Sequence, residues 1–330
     1  MTDAVRERFD RFARDEAPGR SDVYAEWAAG VAADADVRAV LARISPQHRQ
    51  PPLVFAVTRL LGAGEGDYAR WRSFVLSHAD RIVAECERRM VQTNEPLRLA
   101  ALLPALSRIE GPIALLELGA AAGLCLFPDR YSFRYIATDG HERVRVDPPD
   151  GPSPVVLRSV ARGALPSIRM PRIVWRAGVD LAPIDVLRAA DRDWMAALTW
   201  PGEHERAERI AGAVAIAQTA PPLLLAGDAD ARLDELIASV PPGATPVVTT
   251  PGMLVYLPRA ERAALIARIR ASGARWVTID APGLHDGWRH RIDPADFDGF
   301  AVGLDGEVLA DADPLGRWWE WRAGAAADDA

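Results

Sequence analysis

"LLELGAAAGL", residues 115–124, decides how the rest of the chain is read. Leu115 to Leu118 read as a buried strand. Gly119 and Gly123 follow, with only alanine between them. Small residues where a strand ends and a helix could begin have two physical explanations. A tight turn lets a helix pack closely on a sheet. Alternatively the backbone must approach a ligand, because N–H groups at a helix start are unpaired and carry partial positive charge.

Downstream of this stretch, short apolar runs alternate with helical patterns. The runs are Ile113 to Leu118, Ile173 to Val179, Leu223 to Ala226, Pro246 to Thr250 and Trp276 to Ile279. Helical stretches lie at Glu203 to Gln218, Ala229 to Val240 and Arg259 to Ala271. Strands alternating with helices imply a mostly parallel sheet covered on both faces. "FAVGLDGEVLA" reads as a hairpin turning at Asp305-Gly306. "GRWWEW" reads as an edge or terminal strand, so the sheet is expected to end in antiparallel strands.

Upstream, residues 1–110 read as helices. Val5, Phe9 and Phe12 share one face, and Tyr24, Trp27, Ala28 and Val31 repeat the spacing. Pro52 is placed to start a helix and Gly62 to end it. In "TNEPLRLAALLPAL", Thr93 or Asn94 reads as a helix cap. The organisation expected is a helical domain over 1–110, an α/β domain over 111–322 and a disordered tail over 323–330. Residues 125–172, rich in Pro, Arg and Asp, read as an inserted hairpin or flap.

Composition narrows the function classes. The 330 residues carry a net charge of −7, which argues against a broad nucleic-acid-binding face. No apolar run approaches the roughly 20 residues that span a membrane, and the charged amphipathic N-terminus is unlike a signal peptide. Cys86 and Cys125 form no CxxC pair, which fits a reduced cytoplasmic setting. His285-Asp286, His290 and His141-Glu142 lack metal-ligand spacing, so no metal site is expected. The hydrolase G-x-S-x-G elbow and the G-x-x-x-x-G-K-[ST] phosphate loop are both missing.

The turn fails the dinucleotide fingerprint G-x-G-x-x-G. It resembles E-x-G-x-x-x-G, the first motif of class I S-adenosylmethionine (SAM) methyltransferases, with Ala121 where a middle glycine is commonest. The resemblance implies a Rossmann-like methyltransferase sheet. It sets Glu117 and Gly119 near the cofactor's ammonium group, and Gly123 where the cofactor approaches closely. It gives Asp180, at the end of the next strand, the ribose hydroxyls, which suit the two acceptor oxygens of a carboxylate. Asp139 is the rival for that role, since it follows Glu117 at the usual spacing. Asp228 and the Ala229 N–H would reach the adenine, and Thr250 would face the methyl group. Local readings stand beside these: a buried structural turn, and helix caps at Asp180 and Asp228.

"QTNEPLRLAALLPAL", "LLELGAAAGL", "GVDLAPIDV" and Trp200-Pro201 also resemble a bacterial family of methyltransferase-like proteins, domain of unknown function 2332. Ala121, Cys125 and Phe127 depart from the pattern. Asn94, Arg98 and Trp200 are candidate substrate contacts, with Arg98 pairing a carboxylate, or else solvent-facing and core residues. Glu95, Tyr256 and His285 are the candidates for a general base. The expected function is SAM-dependent methylation of a small-molecule or protein acceptor, with the helical domain and the insertion roofing the pocket. The rivals are a nicotinamide-dependent oxidoreductase and a non-catalytic nucleotide- or partner-binding protein.

Overall fold

The structure, a computed structural model, describes residues 2–322; the tail expected over 323–330 lies outside the described residues. The chain opens with seven helices: α1 (Thr2–Asp15), α2 (Asp22–Ala33), α3 (Ala35–Leu41), α4 (Pro51–Leu60), α5 (Tyr68–Ser77), α6 (Ala79–Arg88) and α7 (Arg98–Leu106). The expected faces are the buried ones. Val5, Phe9 and Phe12 of α1 and Tyr24, Trp27, Ala28 and Val31 of α2 all lie in the core. The Ser21 side chain accepts from the Tyr24 N–H and starts α2. Prolines open α4, and Gly62 follows its end at φ 105°.

The α7 cap departs from expectation. The helix begins at Arg98 with no side-chain cap. Asn94 lies four residues earlier in the left-handed region, φ 40°, and its side chain points elsewhere. Glu95 takes over locally, its Oε1 accepting from the Leu97 N–H at 2.9 Å.

The strands follow: β1 (Pro112–Leu118), β2 (Ser132–Ile136), β3 (Glu142–Val146), β4 (Val156–Arg162) and β5 (Arg172–Asp180). Then come α8 (Ala189–Leu198), α9 (His204–Thr219), β6 (Leu223–Ala226), α10 (Ala229–Ala238), β7 (Thr245–Pro251), α11 (Arg259–Ala271) and β8 (Arg275–Asp280). Strands β9 (Phe300–Leu304), β10 (Glu307–Ala312) and β11 (Trp318–Trp321) complete one eleven-stranded sheet. Its order is β3-β2-β4-β11-β10-β9-β8-β7-β1-β5-β6.

Contacts divide the chain into two compact units. One holds the residues up to Thr93 together with Ile184–Glu208, so a late segment joins α1–α6. Its core is aromatic: Phe9, Phe12, Tyr24, Trp27, Phe55 and Trp71 sit ring against ring. The other unit holds Asn94–Pro183 and the chain from Arg209 onward, including the whole sheet.

Within the sheet, β1 pairs in parallel with β5 on one side and β7 on the other. After β1 the parallel series runs outward through β5 and β6, then resumes across β1 with β7 and β8. That reversal of strand order falls between β1 and β7, the kind of switch point at whose carboxyl ends open α/β sheets bind ligands. Leu116, Leu118, Val248 and Trp276 of the sheet pack in the core with Leu233, Leu236, Leu265 and Ile269 of α10 and α11. Burial on both faces explains why β1 does not alternate and is apolar at every position but Glu117.

The β9–β10 hairpin turns at Asp305 and Gly306, φ 52° and 82°, the doubly left-handed pair a tight hairpin needs. The expected insertion is part of the sheet. β2 and β3 form an antiparallel hairpin, and β4 pairs in parallel with both β2 and β11. That overturns the edge-strand reading of "GRWWEW", because β11 has β10 on one side and β4 on the other. Trp319 is fully buried, edge-on to Tyr135 at 5.3 Å between ring centroids. Among the described residues, no helix is long and apolar enough to cross a membrane.

Candidate functional site at the tip of the first strand

The loop after β1 is strained. Gly119, Ala121 and Gly123 have φ of 76°, 49° and 69°. Alanine in that region costs roughly 1 kcal/mol, and such costs persist where surrounding structure enforces them. The helix expected to open at Gly123 is only a short 3₁₀ turn, Leu124–Leu126.

Every N–H from Gly119 to Gly123 has an acceptor inside the protein. Gly119 and Ala120 donate to the Val179 carbonyl, at 2.8 and 3.0 Å, and Gly123 donates to Ala120. The Ala121 N–H donates to Asp180 Oδ2 at 2.8 Å, and the Ala122 N–H to Asn94 Oδ1 at 3.0 Å. The space left by the glycines is also taken. A Cβ on Gly119 would stand 2.7 Å from Met253 Cβ, and one on Gly123 would stand 2.9 Å from Pro222 Cγ. Backbone conformation and neighbouring side chains therefore account for both glycines.

Two side-chain atoms beside the loop are left over. Glu117 is 3% exposed, and its Oε2 has no hydrogen-bond partner. Burial pushes its carboxyl up to about 8, with Arg98 pulling it down and Asp180 adding to the rise. Asn94 offers the opposite chemistry, since its buried Nδ2, a donor, is also unpartnered. Cys125 lies close by, its thiol held well above its ordinary range by burial and then by Glu117. An orphaned acceptor and an orphaned donor beside one loop are each costly in a core, by about 1–3 kcal/mol.

Asp180 does not cap a helix; its Oδ1 accepts from the Ala182 N–H while Oδ2 holds the loop. Asp139 is exposed in the β2–β3 turn, beside His141 at 2.6 Å. Asp228 caps α10, accepting from the Asp230 and Ala231 N–H groups, and Ala229 is buried behind it. The Thr250 hydroxyl is fully buried between Thr278 Oγ1 at 2.7 Å and the Trp276 indole N–H at 3.0 Å. It belongs to the core.

The candidate bases are dispersed. Glu95 is held by Arg209, whose Nε and Nη2 reach its oxygens at 2.8 and 3.1 Å. His285 is buried between Trp276 and Trp288, with Nε2 3.4 Å from Asp280. Tyr256 is 76% exposed. Arg98 donates from Nε to the Pro314 carbonyl and from Nη1 to the Pro251 carbonyl, so these groups hold loops. Trp200 lies in the helical unit against Phe12 and Tyr24, with Arg20 stacked on it at 3.7 Å. It is a core residue there.

Sequence reading missed two features. Asn94 braces the loop from 28 residues away, and its only local signal is a turn-prone Asn just ahead of Pro96. The Glu95–Arg209 pair spans 114 residues and left no local signal.

The molecule is thus a mixed α/β protein with a mostly parallel eleven-stranded sheet and a strained loop at the tip of a central strand. Residues 6–321 match the family described as "Uncharacterized protein conserved in bacteria (DUF2332)", and the chain belongs to that family. No curated protein matches it.

Proposed function

We propose that the sheet-bearing unit binds SAM at the carboxyl ends of β1 and β5 and serves methyl transfer to a small-molecule or protein acceptor. The observation that carries this reading is the pair of orphans at the loop. A buried acceptor at Glu117 and a buried donor at Asn94 suit an ammonium and a carboxylate, the two charges of an amino acid. The switch in strand order beside β1 and the resemblance of the loop to the methyltransferase first motif support the rest.

Bound SAM would supply a methyl group on a sulfonium. The chain's own task is then placement. Glu117 and Asn94 would fix the amino-acid end, and Asp180, at the next strand tip, is nearest to hand for the ribose. To reach it, Asp180 would have to share the oxygens that hold Ala121 and Ala182. Alignment of this kind supplies about 7–11 kcal/mol of a barrier. Asp228 and Thr250 have no part in the proposal, since one caps a helix and the other is closed in the core.

A second reading is favoured by the candidate bases. With Glu95 ion-paired, His285 enclosed and Tyr256 turned to solvent, none stands ready to take an acceptor's proton. A non-catalytic ligand-binding protein of the same fold would look the same.

The test is calorimetry with S-adenosylhomocysteine on wild type and Asp180→Ala, followed by turnover across an acceptor panel. One saturable site, weakened in Asp180→Ala, is expected. Binding without turnover favours the second reading. Stabilisation by NAD(P) with no binding of S-adenosylhomocysteine contradicts both and points to an oxidoreductase. Gly123→Val does not separate the readings, because its Cβ would strike Pro222 whether or not a ligand binds.

A further inference from the structure

The carboxyl of Glu117 is closed in with little to compensate a charge. Among the described residues the cation acting on it is Arg98 of α7, and the Nε and Nη1 of that guanidinium are committed to the carbonyls of Pro314 and Pro251. Asp180 from β5 brings a like charge. Cys125 of the following turn and Tyr131 ahead of β2 also face it, and burial keeps both neutral. Oε2 is left with no partner at all. A carboxyl so placed holds its proton until a cation arrives.

We infer that the site takes up its ligand's ammonium group at Glu117 in exchange for a proton. The inference rests on the proposed function for the choice of probe. The exchange balances: Glu117 leaves as carboxylate paired with the ligand's R–NH₃⁺, and its proton passes to the buffer. No bond of the ligand breaks.

Calorimetry of S-adenosylhomocysteine binding, repeated in buffers of different ionisation enthalpy, counts that proton. At pH 6.5 wild type releases close to one proton per ligand, because a group with its midpoint at about 8 is almost fully protonated there. The dissociation constant falls about tenfold from pH 6 to pH 7 for the same reason. 5′-Methylthioadenosine, which keeps the nucleoside and lacks the amino-acid end, binds wild type with no release. Glu117→Gln binds S-adenosylhomocysteine more weakly and also releases nothing. Binding of S-adenosylhomocysteine by wild type without proton release overturns the inference and leaves the proposed function standing. Equal release by methylthioadenosine overturns it as well. Failure of S-adenosylhomocysteine to bind at any pH overturns the proposed function, and the inference with it.

Discussion

Glu95 and Glu117 lie in one unit, both almost wholly buried, at 2% and 3% exposure. Glu95 is compensated. Two arginine nitrogens and a backbone N–H meet its oxygens. Glu117 is not, and one of its oxygens meets nothing. Burial alone therefore does not mark a functional carboxylate. What differs is whether the fold supplies the counter-charge. Where it does, the carboxylate is an element of architecture, tying Arg209 of α9 to the start of α7. Where it does not, something outside the chain is needed to make ionisation favourable.

The comparison can be broken first at Glu117. Its folded midpoint, about 8, lies above the ordinary carboxylate value. The native state therefore binds more protons than the unfolded chain between those values, and stability falls as pH rises through them. Glu117→Gln removes the ionisation. The variant is expected to be more stable than wild type at pH 9, by up to about 5 kcal/mol, and equal to it near pH 4. Urea denaturation at both values checks this, and the same difference in stability at pH 4 and pH 9 would contradict it.

Arg209→Ala takes the arginine counter-charge away from the buried Glu95. Stability should drop by about 3 kcal/mol at pH 7, the low end for breaking a buried pair, because Arg209 keeps 16% exposure. A further Glu95→Gln change should recover part of the loss. A double variant no better than Arg209→Ala would mean that packing, not charge, carries the effect.

Asp180→Asn keeps the shape but removes the charge from the acceptor of two backbone N–H groups. A loss of about 1–2 kcal/mol is expected by thermal unfolding. The smallest effect is at Ala121. Relief of its left-handed backbone by Ala121→Gly should raise stability by about 0.5–1 kcal/mol. A decrease would show that the loop relaxes away from φ 49° in solution.

Much of this was legible in the sequence. The parallel strands β1, β5, β6, β7 and β8 fall within about a residue of the apolar runs that announced them, and in β1, β7 and β8 burial on both faces is the reason those runs are apolar. The helix α11 begins and ends where its spacing says, and the Asp305-Gly306 turn follows from which residues tolerate positive φ. The glycines were legible as a turn, but not what occupies the space they leave; Met253 and Pro222 come from far along the chain. Texture set the first domain boundary near residue 110. It carried no sign that Ile184–Glu208 joins the helical unit, where Arg20 meets Glu203 at 2.9 Å. The same limit hid the difference between Glu95 and Glu117. Each is a glutamate at the margin of an apolar run, and only the tertiary fold decides which one Arg209 reaches.

The central claim is that Glu117 is a neutral carboxyl awaiting a cation, and direct titration tests it most closely. Carbon-13 NMR of the side-chain carboxyls, assigned with Glu117→Gln, reads its midpoint. The account predicts a midpoint near 8 in the free protein, in keeping with its burial, and a carboxylate already ionised at pH 6 when S-adenosylhomocysteine is saturating. A free-protein midpoint in the ordinary range for glutamate, about 4.3, would contradict it.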